Sequence, residues 1–169
     1  MIASRESKLV LAVYPNSRGF GWVLFEGPMA PANWGIAATK ANRSAWSMSR
    51  FGKLLDLYRP DVVVLEKHLE SANKNLDRVQ LLAKTMGGVA SGRDIALHVY
   101  KRTEIARAIT ANESAKRGDV ARAVALLFPI LRDRLPSPRK PWQTEDNRRS
   151  LFDAAAIGVA HYKLTGRET

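Results

Sequence analysis

A continuous apolar run, Val62-Val63-Val64-Leu65, constrains this chain more than any other stretch. Short, unbroken runs of this kind read as strands buried on both faces. Before it, Trp46, Phe51, Leu54, Leu55 and Tyr58 recur at helical spacing between Arg43 and Tyr58, and Pro60 ends that helix. An earlier apolar run, Leu9 to Val13, reads as another strand. Strand, helix, strand in this order implies a parallel crossover, and hence an α/β fold.

Glu66 closes the run. Strand ends in such folds face the rim of the sheet, where ligands and metal ions bind. Towards the other end of the chain, Asp153 opens an apolar helical stretch that continues to His161. Two carboxylates at the margins of buried elements, in a chain of formal net charge +11, suggest metal-dependent chemistry on a polyanion.

The remaining elements fill in around these. Pro15, Asn16, Ser17 and Gly19 make a turn after the first strand. Gly21 to Phe25 is a second strand, stopped by Gly27-Pro28, and Trp34 to Ala38 a third. Tight turns make these three an antiparallel meander. Leu76 to Val89 reads as a helix, Ile95 to Tyr100 as a fifth strand, and Lys116 to Leu127 as a helix begun by Asn112-Glu113-Ser114. Arg132 to Pro141 reads as a loop, and Ser150 to Leu164 as a buried last helix.

At 169 residues and 46% apolar content, one domain spanning residues 1–169 with a real core is the simplest reading. Cysteine is absent, so disulfides and thiolate metal sites are excluded. The apolar runs are too short to span a bilayer, and the N-terminus lacks the apolar core of a signal peptide. A soluble, cytoplasmic protein with no membrane partner is expected. Residues 101–140 hold ten basic and four acidic side chains, more than half of the net surplus. That imbalance points first to nucleic acid; a solvated, solubilising surface is the bland alternative.

Four stretches carry a resemblance. They are Leu11 to Arg18 followed by Gly21, Arg59 to Glu66, Tyr100 through Ser114-Ala115-Lys116-Arg117 to Val120, and Asp153 to His161. In order and spacing they resemble RuvC-type Holliday-junction resolvases, members of the RNase H-like superfamily. The resemblance implies a five-stranded mixed sheet in the order 3-2-1-4-5, flanked by helices. It also implies binding of branched DNA, magnesium held by a carboxylate cluster, a role in DNA recombination, and a homodimer matching the two-fold symmetry of a junction. Glu66 and Asp153 match two of the family's catalytic, metal-binding acids.

The departures from the family pattern are equally specific. Tyr14 stands where the family has an Asp at the end of the first strand. Ser150 stands where it has another, three residues before the final one. Asp146, or Glu145 beside it, is a candidate replacement ligand; the alternative for Asp146 is an N-cap of the last helix. Tyr14 would fill the former metal pocket or stack on nucleic acid. The family's two functional lysines fall on Ala106, with Arg107 adjacent, and on Arg117. Its junction-wedging aromatic falls on Leu69. Arg18, Lys67, Lys74, Arg102, Arg107, Lys116 and Arg117 are the candidate phosphate contacts. His161, His68 and His98 have ordinary structural readings that outweigh ligand roles.

Two functions follow as expectations. One is a nucleic-acid-binding RuvC-like protein, directed at branched DNA, with a degraded or altered nuclease site. The other is an active magnesium-dependent endodeoxyribonuclease using Glu66, Asp153 and a replacement carboxylate. Two carboxylates can hold one ion but hold a close pair poorly, which favours the first.

Overall fold

The computed structural model describes residues 8–40, 43–67, 74–135 and 148–166. Five strands, β1 (Val10–Pro15), β2 (Gly19–Gly27), β3 (Ala30–Ala38), β4 (Val62–Lys67) and β5 (Ala96–Lys101), form one sheet in the order β3-β2-β1-β4-β5. β1 runs antiparallel to β2 and parallel to β4, and β4 runs parallel to β5. The fold is therefore the expected RNase H-like mixed sheet. Among the described residues five α-helices accompany it: α1 (Arg43–Tyr58), α2 (Lys74–Gly92), α3 (Arg102–Thr110), α4 (Arg117–Leu127) and α5 (Arg149–Thr165).

The turn between β1 and β2 is built by one side chain. Asn16 Oδ1 accepts hydrogen bonds from the backbone N–H groups of Arg18 and Gly19, both at 2.8 Å, and Asn16 N donates to Gly19 O. Asn and Asp favour turns because a short polar side chain can bind the backbone just ahead of it.

Period-two alternation then assigns side chains to the two faces. Val10, Ala12 and Tyr14 of β1, with Val62 and Val64 of β4, pack against α3, α4 and α5. Leu11 and Val13, with Val63 and Leu65, pack against α1 and α2. Ala12 pairs with Val64 in the parallel register. Two residues further along each strand, the same face presents Tyr14 and Glu66.

α5 lies close against this face because its residues are small and its contacts are bare. A Cβ at Gly158 would sit 2.1 Å from the Phe25 ring, and one at Gly21 of β2 only 2.4 Å from the Ser150 backbone. Ala154, Ala155, Ala156 and Ala160 are essentially inaccessible to solvent. The carboxylate of Asp153 is thus carried on a helix seated directly against the sheet.

Three segments differ from the sequence reading. Arg102–Thr110 is a helix, α3, with Ile105, Ala106 and Ala108 buried. Only one of these is large, so its apolar face gives little periodic signal. Asn112 to Ser114 does not begin α4 but forms a turn, with Asn112 Oδ1 accepting from Ser114 N. The helix starts at Arg117, where Asp119 accepts from the Lys116 N–H. Pro129–Arg134 is a 3-10 helix that buries Leu131, so residues 132–134 of the expected Arg132 to Pro141 loop are helical, while residues 136–141 lie outside the described residues; a proline at its first position suits a helical start.

Candidate functional site

β4 delivers Glu66 and α5 delivers Asp153 to one place. Both are only 7% exposed, and both line a small cavity of about 10 Å³ with Arg102, Ile105, Ala106, Val120 and Ala156. Residues 87 positions apart in sequence meet here because α5 crosses the sheet over β1 and β4. The space left between them is about that of a single water molecule.

Each carboxylate already has a cation. Arg102, the first residue of α3, brings Nη2 to 3.4 Å from Glu66. Arg117, the first residue of α4, grips Asp153 with two donors: Nε to Oδ1 at 3.3 Å, and Nη2 to Oδ2. The same guanidinium lies over the Tyr14 ring, its Cζ 5.1 Å from the centroid. A planar, delocalised cation is suited to holding a carboxylate with its edge and an aromatic ring with its face.

The titration behaviour follows from this packing. Burial pushes the Glu66 carboxyl above its usual range, with the Asp153 charge adding to the effect and Arg102 and Arg117 opposing it. Burial also pushes the Tyr14 phenol up, reinforced by Asp153 and partly offset by Arg117. Tyr14 therefore stays a neutral phenol at neutral pH, which suits neither a magnesium ligand nor a nucleophile.

Ser150 is buried one turn before Asp153, and its Oγ accepts from Asn16 Nδ2 at 2.7 Å. This bond ties the β1–β2 turn to the start of α5. Asn16 escaped the sequence reading as a site residue; it was legible there only as a turn former.

The other candidates are dispersed. Arg18 is exposed in the β1–β2 turn, Lys67 at the end of β4, and Lys116 just before α4. Arg107 pairs with Glu113 on the surface. Leu69, His68, Glu145 and Asp146 lie outside the described residues, as does the side chain of Lys74. His161 belongs to an aromatic cluster: Nδ1 shares a 2.8 Å hydrogen bond with the Tyr100 hydroxyl, and its ring centroid lies 4.9 Å from that of His98. Burial, helped by His98 and Lys8, lowers its pKa to about 4. It is a structural, neutral histidine.

A divalent ion asks for several hard oxygen donors. Among the described residues, no group of three or more acidic or histidine side chains converges. The two carboxylates that do converge are each engaged by a guanidinium, and the third position is a neutral phenol. The described donors do not fit a pair of metal ions.

No protein-family model matches the chain. A crossover junction endodeoxyribonuclease RuvC from Mycolicibacterium vanbaalenii is 27% identical over 111 residues, covering 63% of this chain and half the length of that protein. Among solved structures, Thermus thermophilus RuvC in complex with a Holliday junction substrate matches with a TM-score of 0.72 at 18% identity, over 96% of this chain and 97% of that one. Thermus thermophilus RuvC alone gives 0.69 at 19% identity, over 95% and 97%. The yeast mitochondrial Holliday junction resolvase Ydc2 gives 0.60 at 13% identity, over 94% and 82%. At these identities the structural likeness establishes the fold. No helix among the described residues is long and apolar enough to cross a membrane.

Proposed function

We propose that this chain, which has the fold of RuvC-type Holliday-junction resolvases and resembles them in sequence, binds branched DNA through a site whose metal-dependent chemistry is altered. One observation carries the reading: Arg117 is bonded to Asp153 and stacked on Tyr14 at the position where the family pattern has a metal-binding acid. Together with Arg102 on Glu66, it supplies from within the chain the positive charge that ions supply elsewhere. The net charge of +11 supports a phosphate-rich partner. Arg18, Lys67, Leu69, Lys74, Arg107, Lys116 and Arg117 are the residues assigned to it.

A second reading has its own support. Glu66 and Asp153 share one cavity, and Arg102, with a side chain 39% exposed, holds Glu66 only at 3.4 Å. Displacement of Arg102 would free Glu66, Asp153 would also have to be released from Arg117, and Asp146 or Glu145 would have to complete the cluster for a magnesium-dependent nuclease. The two readings separate on four-way junctions assayed in magnesium. Junction binding that exceeds duplex binding, with no cleavage, supports the altered site. Robust cleavage abolished by Glu66→Gln supports the nuclease. Equal affinity for junction and duplex removes branch specificity. Two-fold junction symmetry favours a homodimer, which equilibrium sedimentation would test.

A further inference from the structure

A second polar cleft opens beside the β1–β2 turn, on the sheet face opposite α5. It holds about 330 Å³ and is lined by Ser17, Lys40, Arg43, Ser44, Ser47 and Arg78, with Asn16 at its edge and no acidic residue among the described ones. Two features of this cleft are unfavourable as they stand. The first is charge. α1 has no acidic residue in its first turn, and Arg43 sits there instead, reaching Ser17 O at 3.1 Å. A helix N-terminus is already electropositive, so carboxylates are the usual occupants. Here three cations gather at it, and among the described residues no carboxylate pairs with Lys40 or Arg78.

The second is an orphaned hydroxyl. Ser47 is fully buried and lines the cleft, and among the described residues its Oγ has no hydrogen-bond partner. Buried polar groups without partners are rare and costly, and they ask for a reason. A bound oxyanion relieves both features at once: it neutralises the cations and accepts from the hydroxyl.

We propose that this cleft is a phosphate subsite, in which a phosphodiester of a DNA backbone docks against Lys40, Arg43, Arg78 and the Ser47 hydroxyl. The assignment to DNA rests on the function proposed above. The position agrees with it. Asn16 borders the cleft and holds Ser150, one turn before Asp153, so cleft and carboxylates share one rim of the sheet. A strand crossing that rim would be anchored on one side of β1 and presented to Glu66 and Asp153 on the other.

Two probes test this on the full chain: inorganic phosphate and a four-way DNA junction. Phosphate should shift the amide resonances of Ser17, Ser44 and Ser47 saturably, and Lys40→Ala/Arg78→Ala should abolish the shifts. No saturable shift in wild type overturns the subsite. In junction binding, the double variant should lose about tenfold in affinity, and the slope of log K against log salt should flatten by about one unit per lost contact. Its melting temperature should not change, since both side chains are exposed. A double variant with wild-type affinity and slope overturns docking of DNA in this cleft, even where free phosphate binds. A wild type that binds phosphate but no DNA overturns the DNA assignment together with the proposed function, and retains the cleft as an oxyanion site. Ser47→Ala should weaken junction binding about threefold without lowering the melting temperature, because it removes an unsatisfied group. A lower melting temperature with unchanged affinity overturns the role given to Ser47.

Discussion

Arg117 donates to both carboxylate oxygens of Asp153, from Nε to Oδ1 at 3.3 Å and from Nη2 to Oδ2. Neither group is well exposed: 25% of the Arg117 side chain and 8% of the Asp153 side chain meet solvent. Removing one partner of such a pair leaves a buried charge uncompensated, which is the costly way to break it. Arg117→Ala should therefore destabilise the fold by about 3 kcal/mol, and Arg117→Lys by less, since an ammonium holds one oxygen rather than two. Urea unfolding measures this. An Arg117→Ala variant as stable as wild type would show that the pair contributes nothing.

Magnesium should not raise the melting temperature of the wild-type chain, because a ligand stabilises only where it binds the folded state. Tyr14→Asp returns a carboxylate to the end of β1, facing Asp153 and Glu66. That variant should gain stability with magnesium, and gain junction cleavage if a third carboxylate completes the cluster. A wild-type protein whose melting temperature climbs with millimolar magnesium would count against the guanidinium-filled site.

His161 predicts a pH dependence. Its folded-state pKa is about 4, below the ordinary 6.5, so the unfolded chain takes up its proton more readily. Stability from this group is complete above about pH 6.5 and is lost as pH falls towards 4, by about 2 to 3 kcal/mol. The raised Glu66 carboxyl acts in the opposite sense, so the diagnostic quantity is a difference. Stability plotted against pH should fall less steeply in His161→Phe than in wild type between pH 6.5 and 4. Parallel curves would refute the assignment.

Gly21→Ala should destabilise by about 2 kcal/mol, although alanine ordinarily suits a strand better than glycine. The added Cβ would lie 2.4 Å from the Ser150 backbone, which cannot rotate away as a side chain would. Pushing the start of α5 outward should also lengthen the Asn16–Ser150 bond and move Asp153. Denaturant unfolding and junction affinity should both register the change; unaltered stability would mean that α5 lies less tightly than its contacts imply.

Much of this molecule was legible in one dimension. The run from Val62 to Leu65, the helical period before it and the turn at Asn16 specify strands, helix and crossover by local physics: alternation, periodicity and side-chain-to-backbone bonding. Glu66 and Asp153 stood out because charge at the end of an apolar element is expensive without a purpose. α3 was missed because a helix with one large buried residue carries almost no periodic signal. The partners of the two carboxylates were decided only in three dimensions. Arg102 and Arg117 read equally well in sequence as exposed phosphate contacts. Parallel pairing of Glu66 with Tyr100 sets Arg102 just beyond the end of β5, and the approach of α4 to α5 lays Arg117 between Asp153 and Tyr14. Local sequence fixes which charges a chain carries. Which charge answers which depends on distances of a few ångströms in a buried, low-dielectric place, and those are set by how the helices close over the sheet.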